Sequence, residues 1–122
     1  MAAHHYLQGQ QLAMFMPAHA LMDYSSAESR HPRGSSPRGS SLNVDTELHD
    51  EKLKESKDSG LLESVRHRGV EEPVNVLIRR HETTWVDYHQ LWNGHHRIVS
   101  ANHTNPNMEI PVKHYSSQHY GD

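Results

Sequence analysis

The segment Leu91-Trp92-Asn93-Gly94-His95-His96-Arg97 holds residue types that handle anions and protons. A glycine lets the backbone come close to a ligand, because no Cβ stands in the way. If a helix begins at His95, the unpaired N–H groups of its first turn and the dipole behind them favour a phosphate there. Arg97 supplies a planar fork suited to phosphate oxygens. His95 and His96 titrate near neutral pH, so either can give a proton to a ligand or take one from it. The chemistry expected of Asn93, Gly94, His95, His96 and Arg97 is phosphate binding, with His95 or His96 as the proton-transfer group. Glu71 and Glu72 lie in a loop between Gly69 and Pro73. Glu72 is a candidate general base there, beside the plainer reading of a solvated acidic loop.

Other uses of these residues compete. In a chain with 13 histidines, Gly-His-His-Arg taken alone is a weak motif. His95 and His96 could ligate a metal with His89 or His103, but neighbours on a helix point about 100° apart and seldom share an ion. With no cysteine in the chain, no dedicated transition-metal site is expected. A magnesium ion held partly by nucleotide phosphates needs fewer protein ligands. Trp85 and Trp92 could stack on a base. Packing within a strand is the better reading for Trp85, and Trp92, next to the turn, fits either role.

The elements that must position this turn are legible on both sides of it. Asp45 or Thr46 caps a helix with Glu47 and Asp50 in its first part and Lys52, Lys54 and Lys57 towards its end. Asp58-Ser59-Gly60 interrupts that helix. A second helical turn carries Leu61, Leu62 and Val65 on one face, and Gly69 closes it. Pro73 opens a strand in which Val74, Val76 and Ile78 alternate with Asn75, Leu77 and Arg79. His81-Glu82-Thr83 reads as a turn, Thr84 to Trp92 as a second strand, and His95 to His103 as a helix. Asn105-Pro106-Asn107 makes another turn, Ile110-Pro111-Val112 a last short strand, and the tail from Ser116 is polar.

The chain has 122 residues, 34% hydrophobic and 22% charged, enough for one ordinary domain. Without cysteine, a disulfide scaffold and a thiol nucleophile are excluded. No run reaches the ~18 apolar residues of a membrane span, and Leu12 to Met16 is too short for a signal-peptide core. A location in the cytoplasm is expected, with no membrane partner. The formal net charge of -3 argues against binding nucleic acid mainly by phosphate neutralisation. Composition divides the chain into an N-terminal segment, 1–24, a Ser/Gly/Pro/Arg linker or insertion, 25–44, a globular part, 45–115, and a tail, 116–122. The linker includes Arg30, Arg33 and Arg38 and reads as solvated.

The run from Gly60 to Val76 resembles the ParB/sulfiredoxin superfamily, with its amphipathic helix, Gly69, Val70 and Pro73-led strand. Asn93 to Arg97 is similar to that superfamily's second box, where Gly-x-x-Arg or Gly-His-His-Arg joins a strand to a helix, and Ile110-Pro111-Val112 to its closing strand. The resemblance covers roughly 46–115. It implies an α+β fold, a small mixed sheet packed by helices, with Leu12 to Met22 as a candidate first strand and helix. It also implies that Gly94, His95, His96 and Arg97 contact the phosphates of CTP or ATP with Mg²⁺, as in ParB, sulfiredoxin and the related free serine kinases. Small stand-alone proteins of this kind, common in bacteriophages, are described as ParB-like nucleases. Phosphoester hydrolysis of a nucleotide or of DNA is therefore an implied activity.

Two departures bear on the chemistry. Sulfiredoxin has Cys where this chain has His95, which rules out its thiol reaction, and Asn93 stands where many members have Asp. The helix-turn-helix and dimerisation domains of full ParB proteins are not found up to Asp122, so sequence-specific DNA reading of that kind is not expected. The competing expectation is a non-enzymatic factor, a phage modulator or DNA-associated protein, that keeps the fold without turnover.

Overall fold

The computed structural model describes residues 12–29, 39–80 and 84–116. The elements run β1 (Leu12–Pro17), α1 (Ala18–Leu21), β2 (Ser25–Ser26), α2 (Thr46–Ser59), α3 (Leu61–Arg68), β3 (Val74–Arg80), β4 (Asp87–Asn93), α4 (His95–Thr104) and β5 (Glu109–Ser116). The protein is α+β, a five-stranded mixed sheet in the order β1-β5-β3-β4-β2 with its helices packed against one face.

Local sequence accounts for the helix ends. Asp45 caps α2 as expected, its Oδ1 accepting from the Leu48 N–H at 3.1 Å. Gly60 ends the helix in the left-handed region, φ 85°, and α3 starts from it at once. The inward stripe of α2 is Leu48, Lys52 and Ser56, spaced four apart, so a lysine and a serine take positions where apolar residues would be usual.

In the sheet, β1–β5 and β3–β4 are antiparallel, while β3–β5 and β2–β4 are parallel. On the covered face Val74, Val76, Leu91, Ile110 and Val112 meet Ile98, Val99 and Ala101 of α4, all at most 1% exposed. Partners across adjacent strands share a face. The opposite face therefore carries Leu77 between Tyr115 and Gln90, Arg79 beside Tyr88, Asn75 beside Lys113, and Phe15 beside Pro111. The β3–β4 register pairs Asn75 with Asn93 but Val76 with Leu91, so Trp92 is an extra, bulged residue just before the Gly94 turn.

Three expectations are corrected. The stretch 25–44 is no solvated linker at its ends. Ser25 and Ser26 pair with Gln90 and Leu91, Ser25 bridges Ser41, and Leu42 enters the core at 1% exposure. Its low apolar content hid this because backbone pairing with β4 needs no apolar side chains. The middle of that stretch, with Arg30, Arg33 and Arg38, lies outside the described residues, as do 1–11, 81–83 and 117–122. The strand expected from Thr84 starts at Asp87 instead, leaving Trp85 70% exposed with φ 60° rather than packed in a strand. The last strand runs on to Ser116. The segment around Leu12 to Met22 belongs to the same sheet and core as the rest, with Ala18, Leu21 and Met22 in the central cluster.

Candidate functional site

The strand-to-helix handover falls where the sequence places it. Gly94 sits between β4 and α4 with φ 90°, a conformation that strains any side chain. An added Cβ would lie 2.4 Å from Cγ1 of Val74 and 2.7 Å from its Cβ. The space a side chain would need is thus filled by β3. The glycine here permits strand–helix packing rather than the approach of a ligand, which corrects the expectation for this residue.

Asn93 also serves the sheet. Its Oδ1 accepts from the Asn75 N–H at 3.1 Å, replacing a ladder bond lost at the bulge. Arg97 reaches back across the turn, and one terminal nitrogen donates to the carbonyl oxygens of Glu72 and Pro73 at 2.9 and 3.0 Å. The guanidinium therefore pins the start of β3 to α4, and its other nitrogens have no partner among the described residues. The Glu72 side chain is exposed, and its carbonyl, not its carboxylate, takes part in the site. The structure thus gives Glu72 no contact that a general base would use.

His95 points inward and is 1% exposed. Its Nε2 lies 2.6 Å from the Ser26 hydroxyl, which also accepts from the Glu28 N–H at 3.1 Å. Its Nδ1 lies 3.0 Å from a Glu28 carboxylate oxygen but off the line a hydrogen bond needs, so that buried nitrogen has no hydrogen-bond partner. A proton on Nδ1, facing the carboxylate, makes Nε2 the acceptor of the Ser26 O–H.

Burial pushes the His95 pKa down to about 4; Lys52 and His96 add to this and Glu28 opposes it. At neutral pH the ring is uncharged and enclosed, so His95 is not the readily titrating, ligand-facing group expected from sequence. His96 is half-buried, its Nε2 2.7 Å from the Glu55 carboxylate of α2.

Glu28 is the residue on which these contacts converge. Its carboxylate faces His95 on one side and forms an ion pair with the Lys52 ammonium on the other, while remaining 43% exposed. Burial alone would raise its pKa, but the Lys52 hydrogen bond and the charges of His95, Lys52 and His96 outweigh that and hold it below the usual carboxylate value. Sequence reasoning missed Ser26, Glu28, Lys52 and Glu55. The first two stand in a Ser-rich stretch with no periodicity. The inward placing of Lys52 could have been found from its spacing, four from Leu48 and four from Ser56.

The α4 N-terminus retains donors. The N–H groups of His95, His96 and Arg97 have no acceptor among the described residues. Beside them stand the unpaired His95 Nδ1, the Lys52 ammonium and the spare Arg97 nitrogens. A cleft of about 220 Å³ lies elsewhere, at the start of α2, lined by Ser40, Val44, Asp45, Thr46 and Glu47. Its two carboxylates disfavour a phosphate, although Ser29 links it to the site by donating to Asp45 Oδ2 at 2.7 Å. No trio of His, Asp or Glu is placed to hold a metal ion among the described residues. No described helix is long and apolar enough to cross a membrane. The chain matches no protein-family model, and no curated protein matches it.

Proposed function

We propose that this protein binds a nucleotide phosphate at the N-terminus of α4, and that a bound phosphoester is hydrolysed there with Mg²⁺. The observation that carries the reading is the set of three successive unpaired N–H groups at His95, His96 and Arg97, with an unpaired histidine nitrogen and two cationic side chains at the same helix end. CTP and ATP are the ligands that the ParB-like order of motifs implies. The carboxylate available to such a reaction is Glu28 rather than Glu72. It is exposed and stands beside His95 and Lys52, and because the Lys52 contact holds its pKa below the usual value it serves to orient water or a cation rather than as a strong base. Mg²⁺ would be held mainly by the phosphates, with the Glu28 carboxylate at the same helix end, and would neutralise charge on the phosphate undergoing hydrolysis.

A second reading, binding without turnover, is favoured by one specific observation. The two groups expected to act on the phosphate, His95 and Arg97, are largely committed to Ser26 and to the Glu72 and Pro73 carbonyls. Titration calorimetry with CTP, ATP and short duplex DNA, each with and without Mg²⁺, separates the readings when phosphate release from the nucleotides and strand cleavage of the DNA are followed in parallel. Binding of a nucleotide is expected, weakened about tenfold or more in Arg97→Ala through lost charge-assisted contacts. Phosphate release or strand cleavage that disappears in Glu28→Gln supports turnover, and binding with neither supports the second reading. Absence of heat with every ligand refutes both.

A further inference from the structure

The two edges of the sheet differ in how they end. On one side β2 is two residues long, Ser25 and Ser26, and the Ser25–Ser41 bridge covers part of it. Short, covered edges of this kind keep a sheet from recruiting another strand. On the other side stands β1, six residues from Leu12 to Pro17, with none of those safeguards. It holds no charged residue, no bulge breaks its register with β5, and its one proline comes last. Met14 is 45% exposed and Phe15 67%.

The hydrogen-bond phase of β1 shows which backbone groups the edge offers. Ala18 and Met108 continue the β1–β5 register, and the Ala18 N–H donates to the Met108 carbonyl at 2.9 Å. Bonded and non-bonded pairs alternate along an antiparallel ladder, so Met16, Met14 and Leu12 turn their N–H and C=O groups to β5. Ala13, Phe15 and Pro17 turn theirs the other way. The outward groups of Ala13 and Phe15 have no partner among the described residues, and Pro17 has no N–H to leave unpaired.

We propose that β1 pairs antiparallel with β1 of a second copy of this chain, about a two-fold axis at Met14. In that register Ala13 lies opposite Phe15 of the other copy. Both such pairs exchange N–H and C=O bonds, so the outward donors of Ala13 and Phe15 are all used. An axis at Phe15 would set Ala13 against Pro17 and leave the Ala13 carbonyl without a donor. Met14 lies opposite Val112 on the helix-covered face, yet its exposure shows that the helices stop short of this edge. That leaves room for Met14 of the other copy. A foreign strand would be selected by charges or pockets beside the edge, and β1 has no charge to offer one; its own uncharged sequence repels nothing in a second copy. A six-residue edge with two exposed side chains falls short of the ~800 Å² per partner of a standard interface, so the dimer is weak and depends on concentration. The inference does not rest on the phosphate site at α4, which follows β4, three strands away.

Sedimentation equilibrium of the intact chain tests it, with mass expected to rise from monomer towards dimer between about 10 µM and about 1 mM. Amide exchange followed by NMR reads the register. Met14 and Met16 should be protected at every concentration, while Ala13 and Phe15 gain protection only as the dimer forms. Met14→Lys and Met14→Glu each set like charges directly opposite one another and should weaken association by about tenfold or more, whereas an equimolar mixture of the two should recover it. Phe15→Lys, at a more exposed position, should weaken it as well. Circular dichroism and the melting temperature confirm that the variants are folded. A monomer up to about 1 mM, or a dimer that the lysine variants leave intact, would overturn the proposal. So would a dimer in which the Ala13 and Phe15 amides exchange as fast as in dilute protein, and a mixture as monomeric as its parts would overturn the axis at Met14.

Discussion

Protonation of His95 should unfold this protein from the inside. Its imidazole is 1% exposed, and burial holds its pKa near 4, against an ordinary 6.5. Between those values the unfolded chain binds a proton at this residue that the folded chain refuses. Stability is therefore complete above about pH 6.5 and declines as pH falls towards 4. At ~1.4 kcal/mol per pH unit, the displacement from 6.5 to about 4 corresponds to about 3 kcal/mol, a large part of the stability of a domain this size. Glu28 acts in the same direction at the lower end, because its carboxyl is held below the usual value and acid removes the charge that Lys52 pairs with.

The assay is urea unfolding from pH ~7.5 to ~4.5 for the parent and for His95→Gln, whose side chain does not titrate. With a slope of ~1–2 kcal/mol per molar urea, the parent's midpoint should drop by about 1.5–3 M more than the variant's over that range. Subtracting the two curves removes the contribution of the other histidines. Parallel curves would refute the reasoning, since they would mean that the ring accepts a proton as easily folded as unfolded.

Two further outcomes test the architecture. Gly94→Ala combines a strained φ of 90° with a Cβ 2.4 Å from Val74, and should cost about 2–4 kcal/mol in thermal or urea unfolding. Val74→Ala in the same chain removes only the 2.4 Å contact with Cγ1 and leaves its own Cβ at 2.7 Å and the strained φ, so it should recover no more than part of that loss. Leu42→Ala should cost about 2–5 kcal/mol if the end of the Ser-rich stretch is core, whereas a value near zero in the same unfolding assay would return that stretch to a linker.

The fold was legible where local signals and burial agree. Asp45 and Gly60 mark the limits of α2, Pro73 precedes β3, and the Val74–Val76 alternation faces the core. Gly94 likewise divides a strand from a helix. What escaped reading depends on contacts between distant positions. Ser26 and His95 are 69 residues apart in sequence, and His96 and Glu55 are 41 apart. No periodicity encodes such pairs. Trp85 misled for a related reason: strand-favouring residues describe what fits a half-buried pleat, and here Thr84, Trp85 and Val86 lie outside one. The turn from Asn93 to Arg97 was legible as a strand-to-helix junction, but the partners of its side chains were not. Residue types announce which chemistry is possible, and packing decides which of them face solvent.

The Ser26–His95–Glu28–Lys52 network joins three separate pieces of chain: the β2 corner, α2 and the start of α4. Stability alone gives no strong reason for it, because well-packed apolar residues of the same volume often stabilise as much as a buried ion pair. Holding the β2 corner in register accounts for the Ser26–His95 contact, since the Ser26 hydroxyl also accepts from the Glu28 N–H and the Ser26 N–H reaches the Ser40 carbonyl. It does not account for the geometry around Glu28. A carboxylate kept ionised, partly exposed and poised between an ammonium and a neutral imidazole exceeds what docking a two-residue strand requires. His95 Nδ1 is left without a hydrogen bond, a deficit that a purely structural network would be expected to avoid. The surplus lies at the end of α4 that carries unpaired N–H donors, so the exposed Glu28 carboxylate, rather than either histidine of the pair, is the ionised group that stands beside the proposed phosphate site.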